Sequence, residues 1–228
     1  DPGYARAKAL AISGRYLLDI RRSGMYKARG VKQGFKEDKV SADGAGFVYY
    51  SHVVKMYTVR IAFFRRNRDD RRIAILDEKT AFLQSDKFPA NVEKFLTMWH
   101  PILHKWEVFK QLGPLYGENS APKRWEDTYA PYLESIGFVR GSNEKSCYWE
   151  PNRDVLDLTF VDDNYLDGDE ADIVWASDSI QERFECKDLE WVPTDGTPVD
   201  YLGMEMSIDS ERTYLSMEKY ITNALEFL

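Results

Sequence analysis

The chain has 228 residues, 43% of them hydrophobic, and a net charge of −7, enough apolar material for one large domain or two small ones. No run of about 18 apolar residues occurs, and the start, Asp1-Pro2-Gly3-Tyr4-Ala5-Arg6, lacks a long apolar core, so neither a membrane span nor a secretion signal is expected. Two cysteines, Cys147 and Cys186, do not make a disulfide framework, and an intracellular setting, cytoplasmic or nuclear, is the default.

The net charge hides an asymmetry. Residues 1–72 carry 17 Lys and Arg against 7 Asp and Glu, a net of +10, while residues 73–228 carry 14 against 31, a net of −17. A basic first third can follow a phosphate backbone while an acidic remainder holds cations. A solvated basic arm would give the same count.

Tyr16-Leu17-Leu18-Asp19-Ile20 reads as a strand and Arg21-Arg22-Ser23-Gly24 as the turn after it. In Tyr26–Phe35, Lys27, Arg29 and Val31 share one parity, so a strand projects two cations together. Such a pair can grip a triphosphate, or it guards an exposed edge. Residues 36–50 read as a loop and Tyr57–Phe64 as a helix. Residues 65–72 read as a charged connector, either a nucleic-acid patch or a solvated loop. Ile73-Ala74-Ile75-Leu76 is an apolar strand that delivers Asp77 at its end, where a carboxylate needs a partner, a metal or a helix to cap.

Residues 94–98 and 106–110 are strand-like, and His100 and His104 between them lack a nearby Cys or third His for zinc. A Gly/Pro loop over 113–125 opens a helix from Trp125 to Ile136 that Gly137 ends. Cys147-Tyr148-Trp149 and Leu156–Val161 read as strands, and Leu158–Val161 turns through Asp162-Asp163-Asn164 into Tyr165-Leu166. That turn sets two carboxylates side by side, where they repel unless a cation neutralises them. Hard oxygens without Cys or His favour Mg²⁺ or Mn²⁺; an ordinary solvated turn is the other reading. Ala171–Phe184 reads as a helix, Tyr201–Met206 with Tyr214-Leu215-Ser216 as a hairpin, and Glu218–Leu228 as the start of a last helix.

Eight short blocks give these fragments a common meaning: Lys27-Ala28-Arg29; Val53-Val54-Lys55-Met56 with Thr58-Val59-Arg60; Leu76-Asp77 with Lys79-Thr80-Ala81-Phe82-Leu83; Leu115-Tyr116-Gly117 with Ala121-Pro122 and Trp125; Phe160-Val161-Asp162-Asp163; Lys187-Asp188-Leu189; Leu202-Gly203-Met204-Glu205; and Leu215-Ser216 with Lys219-Tyr220-Ile221. In this order, over residues 27–221, they resemble the reverse transcriptase domain of Ty1/copia-type LTR retrotransposons. The family usually shows Pro at the position of His52, Gln at Ser120, Arg at Lys123 and Tyr at Phe160, and Glu78 adds a charge beside Asp77.

The resemblance implies an α+β right-hand polymerase: basic fingers over 1–72, a palm over 73–206 with a fingers insertion at about 86–112, and the palm end and start of a truncated thumb over 207–228. It implies an antiparallel palm sheet with helices on one face. It brings Asp77 to Asp162 and Asp163 across 85 residues of sequence, to hold two Mg²⁺ or Mn²⁺ ions, Asp77 and Asp162 most directly. Lys27 and Arg29 are then expected on the incoming phosphates, Phe82 where a ribose 2′-hydroxyl is excluded, and Gly117 close to nucleotide and template. Implied partners are an RNA/DNA primer-template, deoxynucleotides, the thumb and RNase H region of a larger polyprotein, and other protein subunits. Two further readings stay open: an inactive retroelement-derived remnant serving as a structural or interaction subunit, and another palm enzyme such as a nucleotidyl cyclase.

Overall fold

In the computed structural model, which describes residues 2–20, 24–37, 49–69, 71–209 and 212–225, the hairpin signals become sheets that are antiparallel but for one parallel strand pair, Ile12-Ser13 with Leu96-Thr97, joined by helices. The first half contains α1 (Pro2–Leu10), β1 (Ile12–Ile20), β2 (Tyr26–Lys32), α2 (Met56–Asp69), β3 (Arg72–Asp77), β4 (Lys94–His100), β5 (Lys105–Gln111) and α3 (Ala121–Ser135). The second contains β6 (Val139–Arg140), β7 (Cys147–Glu150), β8 (Val155–Phe160), β9 (Asp163–Gly168), α4 (Glu170–Gln181), β10 (Glu190–Trp191), β11 (Val199–Tyr201), β12 (Met204–Ile208), β13 (Thr213–Ser216) and α5 (Glu218–Leu225). No helix among the described residues is long and apolar enough to cross a membrane. The chain divides into two compact units, Asp1–Ser51 with Thr80–Tyr129, and His52–Lys79 with Ala130–Leu228.

The first unit is built on a sheet of order β2-β1-β4-β5. β1 and β2 form a long antiparallel ribbon in which Asp19 faces Lys27 and Leu17 faces Arg29. The loop after β5 docks on the end of this ribbon: the Lys32 N–H donates to the Tyr116 carbonyl at 2.8 Å and the Gly34 N–H to the Gly117 carbonyl at 3.1 Å. The contact needs glycine, because a Cβ at Gly117 would lie 2.2 Å from the Lys32 carbonyl oxygen and its φ is +82°. Beneath it lies a buried polar network. Lys32 Nζ donates to Glu37 at 2.6 Å and to Gln111 at 3.1 Å, and Lys94 and Gln111 both donate to Glu118. Burial alone would raise the Glu118 carboxyl; the Lys32 and Lys94 ammonium groups outweigh it and hold the group below its usual range.

The second unit carries a six-stranded antiparallel sheet of order β10-β3-β9-β8-β7-β6 and a three-stranded sheet β11-β12-β13. In the centre, Ile73 and Ile75 of β3 face Asp167 and Tyr165 of β9, and Tyr165 faces Leu158 of β8. That face packs on α2 and on the small sheet: the Tyr165 ring lies 5.8 Å from Phe63 and 5.9 Å from Tyr201, within a core that includes Val59, Ala62 and Met206. Alternation sends Ala74, Leu76, Leu166 and Gly168 to the opposite face, where the space above Gly168 is closed by Val155 and by Ile173 of α4. Helices therefore cover both faces, not one, because both sides of these central strands are apolar.

Other expectations need correction. α2 runs to Asp69, so Arg65 and Arg66 belong to a helix and not to a connector. The reason is lateral pairing: Arg65 bonds Asp154 at 2.6 Å, and Arg66 Nε donates to the Arg71 carbonyl at 3.1 Å. α1 was not expected, since the first ten residues show no clear apolar period. α3 starts at Ala121 because Pro122 fits a first helical turn, where no intrahelical N–H is needed. The strand expected over 201–206 is cut by a two-residue turn at Leu202-Gly203, both with positive φ, which pairs β11 with β12. Most of the 36–50 loop and the turn at 21–24 lie outside the described residues.

Arg71 holds the far end of the large sheet. Its Nε lies 2.5 Å from Asp167 Oδ1 and its Nη1 2.8 Å from Asp154 Oδ2, and Asp167 is fully buried. Burial still keeps the Asp167 carboxyl above its usual range, against the pull of Arg71 and Arg65. Arg71→Met strands this carboxyl and is expected to lower unfolding free energy by about 3 kcal/mol in urea titrations, with much of the loss recovered in Arg71→Met/Asp167→Asn.

Candidate active site

Asp77 ends β3 and Asp163 begins β9, and the two are direct partners, the last rung of the β3–β9 ladder. Opposed Cα atoms in such a ladder lie about 4.5–5.5 Å apart. Asp77 and Asp163 share the face that carries Tyr165. Asp162 lies one residue away in the turn, and its carbonyl accepts the Glu78 N–H at 2.8 Å. The second unit thus gathers all three carboxylates predicted from sequence at one end of its central strands.

The turn differs from the expected one. Phe160 pairs with Asp163, so the turn residues are Val161 and Asp162, and Asp163 and Asn164 belong to β9. Val161 has φ of +60°, a conformation that β-branched residues rarely adopt. Strain of this kind persists only where the surroundings enforce it. Here the flanking pair Phe160↔Asp163 and the Asp162–Glu78 bond do so.

Burial and the neighbouring Asp162 and Asp77 raise the Asp163 carboxyl from 3.8 to about 6; Lys187 opposes the shift. Lys187 was visible only as part of a motif block. It lies with Nζ 2.5 Å from Asp77 Oδ2 and donates its backbone N–H to the Asp77 carbonyl at 2.8 Å. Glu78, one residue on from Asp77, turns to the opposite face, where it is buried and accepts a bond from Asn164 Nδ2. Its charge is therefore directed away from Asp77. Cys186 pairs with Glu78 across a β-bridge, and burial pushes its thiol up to about 12, which leaves it unreactive.

The donor chemistry at this corner, carboxylate oxygens crowded enough to shift one another, suits Mg²⁺ or Mn²⁺. Among the described residues, no group of three or more His, Cys, Asp or Glu side chains is arranged to hold a metal ion together. One oxygen of Asp77 is engaged by Lys187 instead.

The predicted nucleotide-binding residues lie in the first unit, and three of the four meet at one side chain that the sequence did not single out. The Arg29 guanidinium sits 5.8 Å from the centre of the Tyr116 ring, Phe82 lies 5.1 Å from the same ring, and Gly117 follows Tyr116. Lys27 stands on the same strand face as Arg29, opposite Asp19. The signal for Tyr116 was its place between Leu115 and Gly117; what it touches could not be read from a string.

Residues 9–227 match the family model described as reverse transcriptase (RNA-dependent DNA polymerase). The chain belongs to the reverse transcriptase family. It is 30% identical over 213 residues to the retrovirus-related Pol polyprotein from transposon TNT 1-94 of Nicotiana tabacum, covering 88% of this chain and 15% of that polyprotein. The copia-type affiliation read from the eight motif blocks is thereby borne out, for a chain that spans a small part of its polyprotein relative. Among solved structures it is similar to telomerase from Candida albicans in complex with a fragment of telomeric RNA, with a TM-score of 0.54, 9% identity, and 98% of this chain and 51% of that one covered. Apo telomerase from Candida tropicalis gives a TM-score of 0.52 and 10% identity over 94% of this chain and 59% of that one. Identities this low speak for the α+β fold of the chain and for nothing finer.

The Asp163 shift has a defined sign. Its folded value lies above the unfolded one, so its contribution to stability is intact below about pH 4 and is lost as pH rises through about 6. Asp163→Asn removes this loss. In chelator-treated buffer the variant is expected to be more stable than wild type by about 1 kcal/mol at pH 7, after allowance for a part-exposed group, and equal to it at pH 4, as read by thermal melts.

Proposed function

We propose that this chain is the RNA-directed DNA polymerase domain of a copia-type Pol polyprotein, extending a DNA primer on an RNA template. The observation that carries the proposal is the last rung of the β3–β9 ladder, which sets Asp77 against Asp163 with Asp162 in the strained turn beside them. In this reading Asp77 and Asp162 hold two Mg²⁺ or Mn²⁺ ions most directly and Asp163 is more peripheral. When bound, such ions neutralise the transferring phosphates and ease deprotonation of the primer hydroxyl. Lys27 and Arg29 engage the phosphates of the incoming deoxynucleotide. Arg29 suits the task because Tyr116 already fixes its guanidinium, so less freedom is lost on binding. Phe82, whose ring lies 5.1 Å from that of Tyr116, stands against a ribose 2′-hydroxyl, and the bare backbone of Gly117 allows close approach of nucleotide and template. Primer-template, deoxynucleotides, the thumb and RNase H region of the polyprotein and further subunits are the proposed partners.

One observation favours the second reading, an inactive structural subunit: no three-member metal group is present among the described residues. The test that separates them is primer extension on poly(rA)/oligo(dT) with Mg²⁺ or Mn²⁺. Wild type is expected to extend, and Asp77→Asn and Asp162→Asn to lose at least about 100-fold while keeping the wild-type melting temperature or exceeding it. Extension that survives both substitutions overturns the site assignment. Absence of extension, together with melting curves that neither Mg²⁺ nor primer-template and nucleotide shift, establishes the structural reading.

A further inference from the structure

Lys187 is tied to Asp77 twice, through its backbone N–H at 2.8 Å and through its ammonium at 2.5 Å. The segment that carries it is laced along β3. The Lys79 N–H donates to the Glu185 carbonyl at 2.8 Å, Glu78 bridges Cys186, and Glu190 and Trp191 pair with Ile75 and Ala74. The backbone of residue 187 is thus fixed while its side chain is 54% exposed, so the ammonium can leave for water without disturbing the sheet. The charges around it are unequal. One ammonium meets Asp77, whose direct β-partner is Asp163 and whose neighbour in the turn is Asp162.

We infer that Lys187 is a displaceable counterion: it takes the Asp77 oxygen in the metal-free protein and yields it to a divalent cation. This inference rests on the metal role proposed for Asp77. A lysine suits the part better than an arginine would, being a compact point charge on a flexible stem with no planar two-pronged grip. An ion pair this exposed contributes little net stability, so a divalent ion can displace it. The pair offsets part of the repulsion between Asp77 and its direct partner Asp163 when no metal is present. Lys187 is a positioning residue in this scheme, and its effect is read on metal binding itself.

The experiment is calorimetric titration of Mn²⁺ into the chain at low salt, without nucleic acid, for wild type, Asp77→Asn, Lys187→Met and Lys187→Arg. Wild-type binding is expected to weaken in Asp77→Asn. Lys187→Met, which keeps the stem and removes the competing charge, is expected to bind Mn²⁺ about three- to fivefold more tightly than wild type. Lys187→Arg keeps the charge and adds a two-pronged grip on the carboxylate, and is expected to bind Mn²⁺ no more tightly than wild type. Should Lys187→Met fail to fold, Lys187→Gln is read in the same way. If binding depends on Asp77 but Lys187→Met is unchanged or weaker, the counterion role is overturned and the metal reading stands. If no Mn²⁺ binding depends on Asp77, both fall together.

Discussion

The pairing of β3 with β9 is the interaction on which the rest depends. Six successive rungs, from Arg72↔Gly168 to Asp77↔Asp163, fix which side chains meet the core and which meet water. A slip of β3 by one residue would move Ile73, Ile75 and Asp77 to the other face and part them from Tyr165 and Asp163 of β9. The core behind the sheet and the carboxylates at its end are therefore specified by one register. Apolar contacts of Tyr165 with Phe63 and Tyr201 hold that register from one side, and the packing of Ile173 above Gly168 holds it from the other.

Charge is used differently at the two ends of this ladder. At the Gly168 end, Arg71 reaches the buried Asp167. At the Asp77 end the carboxylates outnumber the nearby cation, and the consequence is visible in the raised Asp163 carboxyl. A folded protein with no use for a cation at this corner would gain by replacing one of these carboxylates with a neutral side chain. The imbalance is an electrostatic strain, comparable in kind to the backbone strain at Val161 two residues away.

Much of this arrangement could be read from the chain. The apolar run before Asp77, the run before Asp162 and the basic alternation around Arg29 gave β3, β8 and β2 close to where they lie, because strand signals are local. The resemblance brought Asp77 to Asp162 and Asp163 over 85 residues, which no local pattern could do. What was not legible depended on lateral contacts. The helical course of Arg65 and Arg66 follows from partners in other elements, Asp154 for Arg65 and the residue just past the helix for Arg66. The turn between β8 and β9 was misplaced by one residue because Asp and Asn are favoured at turns, whereas the register placed Val161 there at a positive φ. Asp157 lies within the strand expected over Leu156–Val161; the structure buries it fully, and burial pushes its carboxyl far above the usual range.

The ribbon of β1 and β2 has a mechanical meaning. β1 joins β4 only through Ile12↔Leu96 and Ser13↔Thr97, whereas its pairing with β2 continues for seven rungs, out to Ile20↔Tyr26. Among the described residues, the ribbon beyond Ser13 is a cantilever, clamped at its root by the Lys32–Tyr116 and Gly34–Gly117 backbone bonds. Lys27 sits farther from the clamp and Arg29 nearer to it. A two-stranded lever can bend and twist as a whole while its own hydrogen bonds stay intact, so displacement grows toward the tip. The two cations of one strand thus stand at different distances from that root: Arg29 is the nearer, with its guanidinium 5.8 Å from the centre of the Tyr116 ring, and Lys27 lies two residues farther out along the lever.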